Sequence, residues 1–278
     1  APHIRHIMDV DDDYFHLNPH NPWYAKLYGK ESGRISNLLA SIRIVDTLTV
    51  TTPFLADIYR KHTRRVEVLP NCIDNQLYNV KTENHGQTCG WYGVDARFAD
   101  LWVLEGWIPE DMYCIIAACD IGFREMNHKL KLFVPAFTVL HLPEFLKHID
   151  IGMVPLEDLQ FNYSKSPLKG LEYSAAGLPF IASNVGVYQD FVVDGYNGLS
   201  VKKPRQWGRY LRELQNDEVM RRYLGANAKI HAENCDIRNN ITRWEEVYGL
   251  EYTPPEDITY VGNQDSHKPN KVPEPWEF

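Results

Sequence analysis

The stretch FNYSKSPLKGLEYSAAGLPFIAS, from Phe161 to Ser183, carries residue types whose spacing is typical of an anion-binding helix start. Ser166 can cap a helix that Pro167 begins, so that backbone N–H groups of the first turn point outward. Such a helix end attracts anions. Lys165 and Lys169 add two cations, which is the charge that a diphosphate needs for neutralisation. The stretch therefore predicts a diphosphate site.

Glu172 lies three residues beyond Lys169 and about one turn deeper. A carboxylate there can accept hydrogen bonds from two vicinal hydroxyls, such as those of a ribose. Small residues such as Gly170 let the helix approach the sheet or a ligand, and Gly177 supplies a left-handed stop. An ordinary αβ unit, in which the lysines are solvated and Glu172 pairs with Lys169, explains the same residues. The residues alone leave both interpretations open.

The letters LEY at 171–173, followed by AGLP at 176–179, resemble the nucleotide-binding signature of the family 4 (group 1) glycosyltransferases. The resemblance implies that Glu172 holds the ribose of a nucleotide-sugar donor. One position departs from the pattern, because family members usually carry an acidic residue eight positions upstream that contacts the transferred sugar, and this chain has Ser164. The variant FNxxKSxLKGLEY is similar to a branch among phage and bacterial glycosyltransferases.

Further segments extend the resemblance over most of the chain. VTTPFLADIYRK and VEVLPNCID are similar to the end of an N-terminal domain, where the chain crosses to a second domain after Pro70 and Asn71. CGWYGVDARFAD resembles the first loop of that second domain. There Gly93 permits close backbone approach to phosphate and Arg97 can reach the same group, although family members often have histidine at about that place. VGVYQDFVVDGYNGLSV and RWEEVYGL resemble the region after the signature and the helix that returns to the first domain.

In this order and spacing, the segments imply a glycosyltransferase of the α/β class. We expect a GT-B-like fold with two Rossmann-like parallel-sheet domains, of which the N-terminal one is incomplete. The expected activity transfers a sugar from a nucleotide diphosphate sugar, with retention at the anomeric carbon and without a metal or other cofactor. The sequence assigns neither the donor base, nor the transferred sugar, nor the acceptor. A non-catalytic nucleotide-sugar-binding module is the alternative from another class.

The acidic cluster DVDDD, residues 9–13, ends the first predicted strand, and strand ends often carry function. We favour Asp11 and Asp12 as catalytic residues that face the cleft and the transferred sugar, as polar residues do at a similar place in GT-B relatives. Two other interpretations remain, a solvated strand end and a divalent-metal site at Asp11 and Asp13 of the kind that one-domain GT-A transferases use.

The elements that position these residues follow from periodicity. The first stretch reads βαβαβ, which is typical of parallel sheets, with strands at His3–Met8, Thr47–Thr51 and Val66–Leu69 and helices at Arg34–Val45 and Pro53–His62. Thr52 can cap the second of these helices. After a polar linker at about Val80–Thr88, a second α/β unit begins at Cys89, with a helix near Ala96–Leu104 and a strand at Phe180–Ser183. We predict a partial N-terminal domain over 1–79, a nucleotide-sugar-binding domain over 80–236, and a return helix with a Pro-rich tail over 237–278. Because three strands are few for such a domain, we expect the full enzyme to continue upstream or on a partner chain.

Net charge, cysteine spacing and hydrophobicity narrow the classes of protein to which the chain can belong. The formal charge of −8 argues against a protein that neutralises many nucleic-acid phosphates. The five cysteines are scattered without the short paired spacings of zinc sites or disulfide frameworks, which favours a reducing compartment. No apolar run approaches the roughly 20 residues that span a bilayer. We expect a cytoplasmic protein.

A basic run of Arg60, Lys61, Arg64 and Arg65, with His62 among them, ends the helix that Pro53 begins. Favourable charge at a helix C-terminus is the preferred explanation. The alternative is weak contact with anionic lipid at a membrane surface, or with a phosphorylated acceptor.

Overall fold

Two parallel sheets organise the protein. The computed structural model describes residues 4–29, 33–80 and 84–250. Within them, the first sheet has three strands in the order β1-β2-β3, and the second has six in the order β6-β5-β4-β7-β8-β9. The strands are β1 (Ile7–Val10), β2 (Thr47–Val50), β3 (Val66–Val68), β4 (Thr88–Tyr92), β5 (Tyr113–Ala117), β6 (Lys131–Val134), β7 (Ile151–Val154), β8 (Phe180–Ser183) and β9 (Leu199–Val201).

Helices connect these strands and cover the sheets. They are α1 (Tyr24–Tyr28), α2 (Arg34–Ile44), α3 (Pro53–Tyr59), α4 (Asp120–Glu125), α5 (Leu142–Leu146), α6 (Gln160–Tyr163), α7 (Leu168–Ala175), α8 (Tyr188–Phe191), α9 (Arg205–Asn216), α10 (Glu218–Glu233) and α11 (Ile237–Tyr248), with 3-10 helices at Asp95–Leu104 and Val139–His141.

The first sheet has the predicted βαβαβ order with the short α1 added before α2, and β1 spans Ile7–Val10 where the sequence predicted His3–Met8. All four residues of β2 are buried, because β2 lies between β1 and β3 and is covered by helices. The Thr52 side chain accepts a hydrogen bond from the Leu55 N–H, and Pro53 occupies the first turn of α3, so the predicted cap is confirmed. The core of this sheet is apolar and includes Leu48, Val50 and Tyr59.

The second sheet reverses its order between β4 and β7. Strands β5 and β6 lie on one side of β4, and β7 to β9 lie on the other. In an open parallel sheet, such a switch point leaves a crevice at the carboxyl ends of the strands, where ligands bind. Gly93 follows β4 and Pro155 follows β7, so both strands end at this crevice.

Two segments cross between the sheets. The chain after Val68 leads from β3 to β4, and α11 lies back against the first sheet. Ile73 in the first crossing forms a parallel β-bridge with Asp236, which caps α11. Arg243 on α11 forms an ion pair of 2.6 Å with Glu67 on β3, which ties the returning helix to the first sheet.

The differences from the sequence analysis are mostly short elements. Helices α1, α4, α5, α6 and α8 have four to six residues and β9 has three, too few to show a period. The segment predicted as an α-helix near Ala96–Leu104 is a 3-10 helix. The predicted Pro-rich tail after Thr253 and part of the predicted linker, 81–83, lie outside the described residues. No helix among the described residues has both the length and the apolarity that a bilayer crossing requires.

Candidate functional site

A cleft of about 600 Å³ lies between the carboxyl ends of the two sheets. It is within the usual size range of small-molecule sites. Side chains from both sheets and from the crossing segment line it. All of the residues that the sequence predicted for the site are among them: Asp11, Asp12, Gly93, Arg97, Lys165, Ser166, Lys169 and Glu172.

The start of α7 differs from the prediction. The helix begins at Leu168, and Pro167 is the flanking residue, so no side chain caps it. The Ser166 hydroxyl instead accepts a hydrogen bond of 2.7 Å from the Asn71 side chain, in the crossing segment. The Gly170 N–H donates to the Tyr188 hydroxyl at 3.2 Å, so one of the expected outward N–H groups is already bonded. Ser166 as a helix cap is therefore wrong, although the residue does line the cleft.

Lys165 and Arg97 bring positive charge to the cleft, each beside a carboxylate. Lys165 forms an ion pair with Asp12, which joins the two sheets across the cleft, and its ammonium lies 4.1 Å from the centre of the Phe161 ring. Burial, reinforced by the neighbouring Arg97 charge, lowers the pKa of Lys165, and Asp12 opposes this. Arg97 forms an ion pair of 2.8 Å with the buried Asp100.

The pKa of Lys169 is strongly lowered. Its ammonium lies 5.3 Å from the centre of the Tyr92 ring and 5.5 Å from that of Trp91. Burial, followed by repulsion from Arg97, lowers the pKa of Lys169 to about 8, while Glu172 favours the charged form. Lys169 therefore titrates near neutral pH, where a cation that binds phosphate can also release a proton.

Glu172 is 4% exposed, and it nevertheless lines the cleft. One carboxylate oxygen accepts a hydrogen bond of 3.0 Å from the Tyr78 hydroxyl, and the other accepts one from the Tyr92 hydroxyl. Burial raises the pKa of Glu172, whereas the two hydrogen bonds and Lys169 oppose the rise. The carboxylate is held by two side chains that the sequence did not single out.

The acidic cluster separates into two parts. Asp11 and Asp12 line the cleft, and partial burial, with repulsion from Asp12, raises the pKa of Asp11. Asp13 does not line the cleft. It is fully buried, accepts a hydrogen bond of 3.0 Å from the Phe15 N–H, and lies 2.7 Å from His16 Nδ1. These different surroundings of Asp11 and Asp13 argue against the alternative in which the two carboxylates share a metal ion. Within 4–29, 33–80 and 84–250, no group of three His, Cys, Asp or Glu side chains is arranged for a metal ion.

Ser164, at the place of the family's upstream acid, is also outside the cleft. It is completely buried, and its hydroxyl donates a hydrogen bond of 2.7 Å to the carbonyl of Phe161. Its own carbonyl accepts a hydrogen bond of 3.2 Å from the Thr52 hydroxyl, so this residue connects the two sheets.

Packing against the Trp91 ring requires glycine at position 93. A Cβ at this position would lie 2.4 Å from the ring of Trp91, which is 1% exposed and cannot move away. Gly177 ends α7 with a φ of 69°, as predicted for a left-handed stop.

Sequence reasoning missed Asn71 and Asp100, which line the cleft, and Tyr78, which bonds Glu172 from the core. Tyr78 is 94 positions from its partner Glu172, and Asn71 is 95 positions from Ser166. No local sequence pattern predicts contacts between residues that lie so far apart in the chain. Tyr92 was within a quoted segment, and its place directly before Gly93 was the only signal.

Comparison with known proteins agrees with this geometry. Residues 127–231 match the family model described as glycosyl transferases group 1. An uncharacterized glycosyltransferase of Methanocaldococcus jannaschii is 41% identical over 141 residues, which are 46% of this chain and 39% of that protein. A D-inositol 3-phosphate glycosyltransferase of Arthrobacter sp. is 27% identical over 143 residues, 50% of this chain and 31% of that protein. The chain thus spans less than half the length of these relatives.

Solved structures show the same fold. Sucrose-phosphate synthase of Thermosynechococcus elongatus superposes with a TM-score of 0.61 at 16% identity, covering 83% of this chain and 65% of that one. Anabaena HepE in complex with UDP and glucose has a TM-score of 0.61 at 13% identity, covering 88% of this chain and 71% of that one. The shared arrangement is the GT-B fold, with two Rossmann-like parallel sheets that face each other across a cleft.

Proposed function

We propose, on the premise that residues 127–231 carry a group 1 glycosyl transferase segment in a GT-B fold, that this chain binds a nucleotide sugar and takes part in sugar transfer. The observation that carries the proposal is the cleft, where both sheets bring three cations, two strand-end carboxylates and Glu172 together. The donor's diphosphate, ribose and sugar each have a chemically suitable neighbour there.

In this proposal, the diphosphate lies near the start of α7. Lys165, Lys169 and Arg97 balance its charge and stabilise the leaving nucleoside diphosphate, a task that other sugar transferases assign to a metal ion. Glu172 accepts the ribose hydroxyls. Retention of the anomeric configuration is part of the proposal, as the resemblance to family 4 implies.

Asp11 and Asp12 face the transferred sugar in this arrangement. Asp12 has an ion pair with Lys165, so an arriving diphosphate competes for the same ammonium. Release of Asp12 by the diphosphate would leave its carboxylate available to the sugar hydroxyls. This exchange gives Asp12 a role of its own, since its carboxylate forms the ion pair with Lys165.

UDP is the first nucleotide to test, since Anabaena HepE has been solved with UDP and with UDP-glucose. A thermal-shift screen with UDP-, GDP-, ADP- and TDP-sugars measures binding directly, because a ligand that binds only the folded state stabilises it by about 2.7 kcal/mol at 100 times Kd. We expect one nucleotide class to raise Tm and Lys165→Ala to reduce the rise. If no nucleotide or nucleotide sugar raises Tm of the folded chain, the proposal is refuted.

Ser164 favours a second candidate, a binding module without turnover, because the family's sugar-contacting acid is replaced by a side chain outside the cleft. Hydrolysis of radiolabelled donor separates the two candidates. Slow release of free sugar that depends on Asp11 or Asp12 supports the transferase, whereas saturable binding without any release supports the module.

Localisation and membrane contact are separate proposals. We propose a cytoplasmic protein whose basic run has mainly local roles, since Arg60 pairs with Asp57 and Arg65 pairs with Glu67 at 3.0 Å. Binding to vesicles that contain anionic lipid, lost on reversal of charge at Lys61 and Arg64, would instead establish a peripheral membrane contact.

A further inference from the structure

Two tyrosine hydroxyls hold the carboxylate of Glu172, one on each oxygen. The three residues come from different parts of the chain. Tyr78 lies in the crossing segment between the sheets, Tyr92 ends β4, and Glu172 is in the middle of α7. Such a cluster forms only when the crossing segment, the sheet and the helix are all in place.

The two tyrosines are fixed donors. The Tyr92 ring packs edge-on against Phe145 and Tyr173, with ring centres 6.0 and 5.8 Å away. Tyr78 is 4% exposed and belongs to the apolar core under the second sheet. Burial and the nearby Glu172 charge raise the pKa of both tyrosines, so their hydroxyls stay protonated and donate throughout the physiological pH range.

The carboxylate keeps capacity for a ligand. An ionised carboxylate has about four lone-pair sites, and the tyrosines use one on each oxygen. Glu172 is among the residues that line the cleft, and 4% of its surface remains exposed. Two neutral donors and the ammonium of Lys169 offset the cost of a buried negative charge.

We infer that Tyr78 and Tyr92 are positioning residues that keep Glu172 ionised and fix its orientation toward the two ribose hydroxyls, and that discrimination of ribonucleotides from 2′-deoxyribonucleotides depends on them. This inference rests on the proposed function, since it assigns a sugar ring to the space beside Glu172. It adds residues and a selectivity that neither the signature nor the fold specifies.

Loss of one hydroxyl should act on the ligand through Glu172. A buried carboxylate that loses a hydrogen bond is protonated more readily, because that bond favours the charged form. The protonated group offers fewer acceptor sites, and its remaining oxygen is held on one side only. The ribose then loses acceptors, whereas a 2′-deoxyribose, which presents one hydroxyl fewer, loses less.

The test is isothermal titration calorimetry with UDP and 2′-deoxy-UDP between pH 5.5 and 8, on the whole chain. The variants are Tyr78→Phe, Tyr92→Phe and the matched control Tyr163→Phe. Tyr163 also donates to a carboxylate, at 2.8 Å to Asp158, but at the surface and outside the cleft lining. For the wild type we expect tighter binding of UDP than of 2′-deoxy-UDP.

In Tyr78→Phe and Tyr92→Phe, we expect UDP affinity to fall roughly tenfold, the low end for a hydrogen bond to a charged group. Affinity for 2′-deoxy-UDP should fall less, so the preference shrinks. The pH below which UDP binding weakens should also move upward relative to wild type and to Tyr163→Phe. The comparison among variants cancels the titration of UDP itself.

A merely structural role for the tyrosines predicts another result. In that case both variants melt at lower temperature, but they keep the wild-type ratio of affinities for UDP and 2′-deoxy-UDP. The pH below which UDP binding weakens is then also that of the wild type. This result overturns the inference. Should Tyr92→Phe fail to fold, Tyr78→Phe decides alone, because both hydroxyls serve the same carboxylate. Absence of UDP binding by the wild type would instead count against the proposed function with this donor.

Discussion

Lys169 is expected to take up a proton when a diphosphate binds. Its ammonium lies in the wall of the cleft, beside the rings of Trp91 and Tyr92, and burial with repulsion from Arg97 lowers its pKa from 10.5 to about 8. At pH 8, about half of the free protein therefore has a neutral amine at this position. A diphosphate interacts favourably with the ammonium only, so its binding favours protonation.

The size of the effect follows from this shift. If the bound diphosphate returns the pKa of Lys169 toward 10.5, binding takes up about 0.1 proton at pH 7, about 0.5 at pH 8 and about 0.9 at pH 9. Above pH 8, affinity should then fall by up to about tenfold per pH unit. The ligand contributes little here, because the terminal phosphate, with a pKa near 6, is already ionised at about pH 8.

Calorimetry in two buffers with different ionisation enthalpies measures the proton count directly. Wild type and Lys169→Arg should be titrated with UDP at pH 7, 8 and 9. Arginine keeps the positive charge and does not deprotonate in this range, so proton uptake should nearly vanish in this variant. Lys169→Met, which removes the charge, should bind more weakly at every pH.

Two outcomes would refute the reasoning. Equal proton uptake at pH 8 in wild type and Lys169→Arg would show that another group titrates. A UDP affinity that stays constant from pH 7 to 9.5 in the wild type would show that Lys169 is either not perturbed or not in contact with the diphosphate.

Three further predictions concern other cleft residues. Glu172→Gln should weaken UDP binding by about 10- to 100-fold, the value of hydrogen bonds to a charged group; an undiminished thermal shift with UDP would contradict the ribose role. Asp12→Asn frees Lys165 from its ion pair, so calorimetry should show unchanged or few-fold tighter UDP binding while donor hydrolysis slows; weaker UDP binding at full hydrolysis would reverse the assignment. Gly93→Ala places a Cβ 2.4 Å from the buried Trp91 ring and should lower the free energy of unfolding by about 1–3 kcal/mol; a urea midpoint equal to that of the wild type would contradict this packing.

Local features were predictable where short-range physics decides them. Thr52 before Pro53, the strand Phe180–Ser183 and the left-handed Gly177 were all expected, and each is present. Periodicity, caps and turn residues act within a few positions, so a single sequence contains the information. The grouping of charged residues around α7 was predictable for the same reason, since Lys165, Lys169 and Glu172 are close in sequence.

Partners distant in sequence were decided by the tertiary structure. The sequence offered three similar carboxylates at Asp11 to Asp13, and only the fold brings Lys165, 153 positions away, to Asp12. Similarly, the tyrosines on Glu172 come from the crossing segment and β4, which meet α7 only in the folded chain.

The sequence by itself predicted the longer α and β elements of a parallel-sheet fold, the grouping of Lys165, Lys169 and Glu172 at α7 and the resemblance to a GT-B transferase. Tertiary structure alone decided what each charged group faces, and hence its protonation. Ser166 illustrates the difference. Local preference predicts that it caps a helix, but its hydroxyl accepts a hydrogen bond from Asn71, which lies in the segment that crosses between the sheets. A hydrogen bond depends on distances of about 3 Å, and those distances arise only when remote segments pack.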